Sequence, residues 1–488
     1  MNLAKSSLWI LLEKFSLQGV SFLVGIVLAR MLDPHSFGLV SLTTIFIAIS
    51  YAIVDGGFEK VIIQKKEVDE IQINTIFLIN VLISAALLLT IWLISPSIAL
   101  YFEELELTQV LRISALTIPL SALGQVHRTQ LLRDLKIKQV TVSQLYSSLA
   151  LAFSGILLAL LGFGVWALVY SNIIGVITWL IAVWSLSSWK IRLAFSLKSI
   201  RPLMPMGMHV LTSSLIFFIL LQINAIIIGK FFGTNDLGLY SRALKFPEVV
   251  VTLGQAIILR MALPMFSKVQ YQQQEYKKLM SNFTKLISAF LFPCLAVIFI
   301  FAENIIEFTL TKKWLESAVI VKFLCVSKIF DPFITLQREF ILSKGKSKLL
   351  LHCLVATGLV EVLTLSIAAM FSMQTLLFVA ILNKAMQFWI YTSVLNRLRM
   401  SDTYFRILEM MPYLLSTIAA SSLSYTLCIP FSNSPILQMC LGCTTLFLTH
   451  LIILDRFGIK EVINIDKVAS FTRIKSKLLL RTLTKIRD

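Results

Sequence analysis

Charge is scarce in this sequence, and so are long polar segments. Of its 488 residues 14% are charged and 57% hydrophobic, with a mean hydropathy of +0.84. A chain of that composition cannot cover a water-soluble globule, which excludes a soluble fold. The ten-residue alternation of apolar and polar positions that marks a membrane barrel is absent too. No stretch reads GxxxxGK[ST], and no interval between apolar runs could house a nucleotide-binding domain, so ATP-driven work by this chain is excluded. Cysteine is limited to six residues, Cys294, Cys325, Cys353, Cys428, Cys440 and Cys443, all in or beside apolar runs, where the thiol serves as a small apolar filler. Cys440 and Cys443 have CxxC spacing without a second ligand pair, so no metal and no other cofactor is expected. His127, His209, His352 and His450 share no spacing, and the longest external loops, 96–107 and 302–316, carry neither histidine nor paired arginine. No enzyme is expected.

What the sequence has in abundance is apolar runs of membrane-spanning length, each near the ~20 residues a helix needs to cross the hydrocarbon. The expected spans are 8–31, 39–58, 73–95, 108–131, 140–162, 164–185, 207–231, 238–263, 284–302, 317–342, 349–370, 373–395, 407–429 and 435–454. Lysine and arginine fall almost entirely in every second loop: 29 on one side, from Lys5 to the tail that ends at Arg487, against Lys312 and Lys313 on the other. The positive-inside rule then places the first side, and both termini, in the cytoplasm. The first run carries Glu13 and Lys14 and exceeds a signal-peptide core in length, so it is expected to remain as a span. Topology alone accounts for the net charge of +18, and nucleic acid is not an expected partner. The basic tail, with apolar residues between its charges, suits either anionic headgroups or plain solvation.

Sliding the chain by 200 residues superposes Arg30 on Lys230, Gly38 on Gly238, Leu39 on Leu239 and Ser41 on Ser241. A shift of 210 places Arg128 on Arg338, Leu132 on Leu342, Lys136 on Lys346 and Lys138 on Lys348. Two close registers imply a duplication with a small insertion. Six spans separate the copies, so both halves face the same way, related by an axis normal to the membrane. The expected fold is an all-α polytopic membrane protein of about 14 transmembrane helices in two six-helix lobes, a parallel repeat, plus two C-terminal helices. The domains are 1–206, 207–400, 401–455 for the two added helices, and 456–488 for the tail.

Charges inside the spans mark the candidate site. A lysine or arginine at a helix centre costs ~2.5–3.5 kcal/mol if it faces lipid, so such residues pair, snorkel or line water. Lys328, Asp331, Thr335 and Arg338 are spaced to share one helical face, as are Ser121, Gln125 and Arg128, and Lys14, Gln18 and Ser21. Arg242, Lys245 and Glu248 bracket Pro247, and Pro119, Pro293 and Pro332 offer further bends. Nine central cations, including Arg112, Lys322 and Lys384, face six central carboxylates, Glu13, Asp55, Glu248, Asp331, Glu339 and Glu361. Each cation also has a plain ion-pair reading, such as Lys328 with Asp331 or Arg338 with Glu339. As a set, the surplus suits an anionic cargo held by Lys14, Arg128, Arg242, Lys245, Lys328, Arg338 and Lys384. Without ATP, energy would come from an ion gradient such as H⁺ or Na⁺ or from the cargo's own gradient, with Asp55, Asp331 and Glu361 as candidate coupling carboxylates.

The stretch 29–34 with Phe37 and Gly38, the stretch 237–243, the turn 263–268 and the loop 133–135 resemble those of bacterial Wzx-type polysaccharide repeat-unit flippases. These belong to the multidrug/oligosaccharidyl-lipid/polysaccharide exporter superfamily; the colanic-acid exporter branch is the nearest, and the likeness runs over roughly residues 1–400. The resemblance implies a flippase that carries an undecaprenyl-pyrophosphate-linked oligosaccharide between leaflets of the inner membrane. It also implies two six-helix lobes around a cationic cavity, with membrane lipids and polysaccharide polymerase machinery as partners. The competing expectations are a multidrug exporter of the same superfamily, which would favour an acidic or aromatic cavity, and a membrane polysaccharide polymerase or ligase, which would need a large external loop.

Overall fold

The computed structural model describes residues 19–65, 67–192, 194–268, 272–398, 403–428 and 435–456. Lys14 and residues 457–488 of the basic tail lie outside the described residues. All regular structure among the described residues is helical. The helices are α1 (Gly19–Met31), α2 (Pro34–Asp55), α3 (Phe58–Gln64), α4 (Glu70–Phe102), α5 (Leu107–Ser114), α6 (Thr117–Arg133), α7 (Ile137–Leu160), α8 (Val165–Leu186) and α9 (Leu197–Ile200). They continue with α10 (Met204–Phe231), α11 (Gly233–Lys268), α12 (Gln273–Ile300), α13 (Ala302–Thr309), α14 (Ser317–Lys328) and α15 (Phe330–Ser343). The last are α16 (Ser347–Ala369), α17 (Met373–Arg397), α18 (Thr403–Cys428) and α19 (Pro435–Arg456).

Ten stretches among the described residues are long and apolar enough to cross a membrane. The expected spans 238–263 and 317–342 also fold as helices, the first within α11 and the second divided between α14 and α15. Helix α4, at 33 residues, is about 50 Å long and overshoots a ~30 Å hydrocarbon core. Along it, Leu82, Leu89, Leu93 and Leu100 are each more than 60% exposed and repeat at helical spacing. Such a stripe would drive aggregation in water; against lipid it costs nothing.

Capping explains where several helices begin and end. The Asp33 carboxylate accepts a bond from the Ser36 N–H at 2.9 Å, and Pro34 follows it in the first turn, so α2 starts there. The same helix stops at Gly56, whose left-handed backbone returns its N–H to the carbonyls of Ala52 and Ile53. At the base of α4 the loop 187–200 is stapled down. The Arg192 guanidinium meets Glu70 at 2.6 Å, its backbone N–H donates to Asn74, and Gln72 donates to the Ser199 carbonyl at 2.7 Å.

The chain forms two compact units. The first takes in the chain to Lys245 with Ile305–Ile320 and Val355–Ala380; the second takes in Phe246–Asn304, Val321–Leu354 and the chain from Ile381 onward. In the first, one core joins Val61, Ile62, Ile73, Ile76, Phe77 and Val126, and another joins Ile47, Val54, Ile91, Leu111, Ile118 and Ala122. In the second, Phe266, Tyr276, Phe283 and Phe340 stack, with the Tyr276 hydroxyl bonded to Ser343 at 2.6 Å.

Candidate functional site

Two expected spans are each broken into a pair of helices. The run 108–131 is α5 and α6, interrupted at Ala115 and Leu116; the run 317–342 is α14 and α15, interrupted at Ile329. In each case a proline, Pro119 or Pro332, lies three residues beyond the break, where its missing N–H costs least because a helix is starting. The backbone stays in the right-handed helical region at Ala115, Leu116 and Ile329, so each interruption is a local lapse in the helical hydrogen bonds, the bend expected from the prolines.

At the α14/α15 break three charges meet inside the second unit. The Lys328 ammonium donates to Asp331 Oδ2 at 2.7 Å, and the Lys384 ammonium, from mid-α17, lies 3.7 Å from Asp331 Oδ1. Lys328 ends α14 and Asp331 opens α15, so each charge sits at the helix end whose dipole favours it. The Thr335 hydroxyl donates to the Asp331 carbonyl, while Gln255 of α11 donates to Thr335 Oγ1 at 3.1 Å. One carboxylate thus gathers two ammonium groups. Both lysine side chains keep about a quarter of their surface exposed, 23% and 25%, so the cluster is not sealed.

The first unit holds a second polar cluster, at the far end of α6. The Arg128 guanidinium on α6 donates to Glu59 Oε1 at 2.6 Å, and one turn away Gln125 donates to Asp55 Oδ1 at 2.8 Å. Asp55 Oδ1 also accepts the Glu59 N–H at 3.3 Å, holding the start of α3. On the other side of α6 the buried His127 ring packs on Trp184 and Trp189, with centroids 5.1 and 4.8 Å away.

Of the sequence-derived candidates, the structure brings Lys328, Asp331 and Lys384 together and gives Arg128 a partner. Arg242 lies over the Phe37 ring at 4.4 Å. Lys245 and Arg338 sit on α11 and α15, and Glu361 is buried on α16. Sequence reasoning missed Glu59 and Gln255. Glu59 was signalled by its position four residues after Asp55 across two glycines; Gln255 carried no signal beyond being polar inside an apolar run.

This multi-pass helical architecture, with interrupted helices, has the fold of solved membrane proteins. The lipid II flippase MurJ in an inward closed conformation is similar with a TM-score of 0.75 over 92% of this chain and 99% of that one, at 12% identity. A multidrug resistance MATE family transporter of the MOP superfamily, inward-facing, is similar with a TM-score of 0.61 over 81% of this chain and 99% of that one, at 16% identity. At such identities the likeness is one of fold.

The chain belongs to the polysaccharide biosynthesis protein family, whose sequence profile matches residues 27–319. Relatives include the succinoglycan biosynthesis transport protein ExoT of Rhizobium meliloti (strain 1021), 23% identical over 66% of this chain and 65% of that protein. The lipopolysaccharide biosynthesis protein WzxC of Escherichia coli (strain K12) is 24% identical over 65% of each. The chain thus spans just under two thirds of the length of these relatives.

Proposed function

We propose that this protein is a flippase for lipid-linked oligosaccharide repeat units, moving them from the cytoplasmic to the external leaflet of a bacterial inner membrane for surface polysaccharide assembly. Family membership supplies the substrate class. The observation that carries the chemistry is the pair of partly exposed ammonium groups, Lys328 and Lys384, gathered around Asp331 where α14 meets α15. An anionic headgroup, undecaprenyl pyrophosphate above all, would be held by two such groups through charge-assisted hydrogen bonds. Broken helices lend such a site their positive N-terminal ends as well.

In this reading Lys328 and Lys384 hold the phosphates, and Lys14, Arg128, Arg242, Lys245 and Arg338 form the wider cationic path. Asp331 sets the charge of the phosphate site, while Asp55 and Glu361 are the carboxylates left for coupling to H⁺ or Na⁺. Both termini face the cytoplasm, and the two sequence halves, 1–206 and 207–400, act as the lobes of an alternating-access carrier. The absence of ATP-binding sequence leaves the gradients as the driving force.

The test is chemical identification of what accumulates. Cells lacking the protein should build up a lipid-linked oligosaccharide on the cytoplasmic leaflet, and Lys328→Ala with Lys384→Ala should reproduce the defect with normal membrane insertion. Each lost charge-assisted bond is worth about 1.5–3 kcal/mol, or roughly 10- to 100-fold in cargo affinity. Normal polymer from the double variant would rule out this headgroup site.

A further inference from the structure

Arg112, on α5, lies apart from both charge clusters and grips α4 at a weak point of that helix. Pro96 has no N–H, so the carbonyl of Trp92, four residues earlier, lacks its helical donor. Arg112 Nε fills the gap. It donates to the Trp92 carbonyl at 3.2 Å and to the Ser95 hydroxyl at 3.0 Å, while Ser95 itself donates to the same carbonyl at 3.0 Å. The guanidinium also lies over the Trp92 ring, 4.9 Å from its centroid. These contacts use Nε and leave the fork of the group free. Among the described residues Nη1 and Nη2 have no hydrogen-bond partner, and no carboxylate pairs with Arg112.

The other copy of the repeat carries the same charge in neutralised form. The 210-residue shift places Arg112 on Lys322 of α14, and Lys322 donates to Glu303 at 2.7 Å. Arg112 has an aromatic ring where Lys322 has a carboxylate, so its charge is open to a group from outside the protein. Depth narrows the choice of group. From Glu70 to Trp92 is about 33 Å along α4, against a hydrocarbon core ~30 Å thick. With Glu70 and its partner Arg192 in one headgroup layer, Trp92 and Arg112 reach the opposite one, a level that favours both tryptophan and the charged tip of a long side chain. Trp92 is 48% exposed, and Leu89 and Leu93 on the same side of α4 are 61% and 69% exposed, so the site opens toward lipid.

We propose that Arg112 and Trp92 form a binding site for the phosphate of an anionic phospholipid in the leaflet opposite the basic loops. The Nη1 and Nη2 fork matches two phosphate oxygens, the Trp92 ring covers the glycerol, and Leu89 and Leu93 meet the acyl chains. A zwitterionic lipid brings its own cation to the same place and gains less. The site belongs to the lipid-facing surface of the first unit and is independent of the cargo and of the flippase reading.

The test is photo-crosslinking of the full protein in phosphatidylcholine nanodiscs that carry a trace of diazirine-bearing phosphatidylglycerol or, in parallel, of phosphatidylcholine with the same diazirine. Peptide mapping should find the phosphatidylglycerol adduct on residues 89–97 in about tenfold higher yield than the phosphatidylcholine adduct. Arg112→Gln, which keeps a donor for the Trp92 carbonyl, should lower that yield about tenfold, the loss of one charge-assisted contact, and leave adducts elsewhere unchanged. Lys322→Gln, at the neutralised copy, should leave the 89–97 adduct as it is. Inorganic phosphate at millimolar concentration should not compete. Equal yields from the two lipids, or an undiminished yield in Arg112→Gln, overturn the site. Competition by inorganic phosphate would make it a free-anion site and overturn the lipid assignment. The comparison of lipids needs only the parent protein, so it decides even where Arg112→Gln fails to insert.

Discussion

The two broken helices share a geometry and differ in charge. Each pair, α5/α6 and α14/α15, is interrupted a few residues before a proline, as expected of duplicated elements. In the first unit Arg128 meets Glu59 one to one, and Asp55 is taken up by Gln125 and a backbone N–H. In the second unit one carboxylate serves two lysines. The first cluster stands at the far end of α6, away from the interruption, whereas the second stands at the interruption itself, where α17 adds Lys384. That placement is what makes one copy the candidate headgroup site.

The comparison is broken most directly at Asp331. Asp331→Ala leaves two partly buried ammonium groups without their shared carboxylate and is expected to cost about 1.5–3 kcal/mol, read as a drop in thermal stability in detergent. Glu59→Ala, at a pair whose arginine side chain is 34% exposed, is expected to cost at most about 1 kcal/mol by the same assay. Equal losses would mean that the two clusters are alike after all.

Next in size are Gly38 of α2 and Gly238 of α11, 200 residues apart, which pack against the backbone of Thr234 and Pro34, also 200 residues apart. Gly38→Ala and Gly238→Ala each push a methyl into a backbone carbonyl, and overpacking of that kind costs about 1–3 kcal/mol or more. The reciprocity of the contact requires the two substitutions to lower the thermal midpoint by similar amounts; a large effect at one alone would deny the symmetry. Sharper, because it separates binding from stability, is Lys384→Met. It leaves Lys328 and Asp331 balanced as a pair, so the fold should survive while affinity for a pyrophosphate-bearing lipid, measured on purified protein in nanodiscs, falls roughly 10- to 100-fold.

These contrasts also mark what was legible in the sequence. The helical architecture was, because lipid imposes one demand on every span and the apolar runs answer it. The register of the repeat was legible at Gly38 and Gly238, where a residue without a side chain is informative by itself. The pair Lys328 and Asp331 could be read from a spacing of three on one helix. Lys384 could be listed as an intramembrane cation but not joined to that pair, since which face of α17 meets Asp331 depends on helix rotation, which periodicity in a nearly uniformly apolar run does not define. Glu59 was hidden for a different reason: it stands just past a span's end, where a charge needs no explanation. The breaks at Ile329 and at Ala115 were foreshadowed by Pro332 and Pro119, yet a proline marks a weak point without saying whether the helix bends or stops.

The smallest expected effect concerns the ion pair at the end of α4. Glu103 is held below the ordinary carboxylate range by the hydrogen bond from Lys230 and by that residue's charge. A carboxylate whose value is lowered on folding adds stability above its unfolded value, and that stability is lost as pH falls through the lowered value. Glu103→Gln should therefore lower the thermal midpoint in detergent slightly at neutral pH, and the difference from the parent protein should vanish in acid, below the ordinary carboxylate range. The effect is small because Glu103 is exposed and Lys230 also donates to the Tyr101 carbonyl.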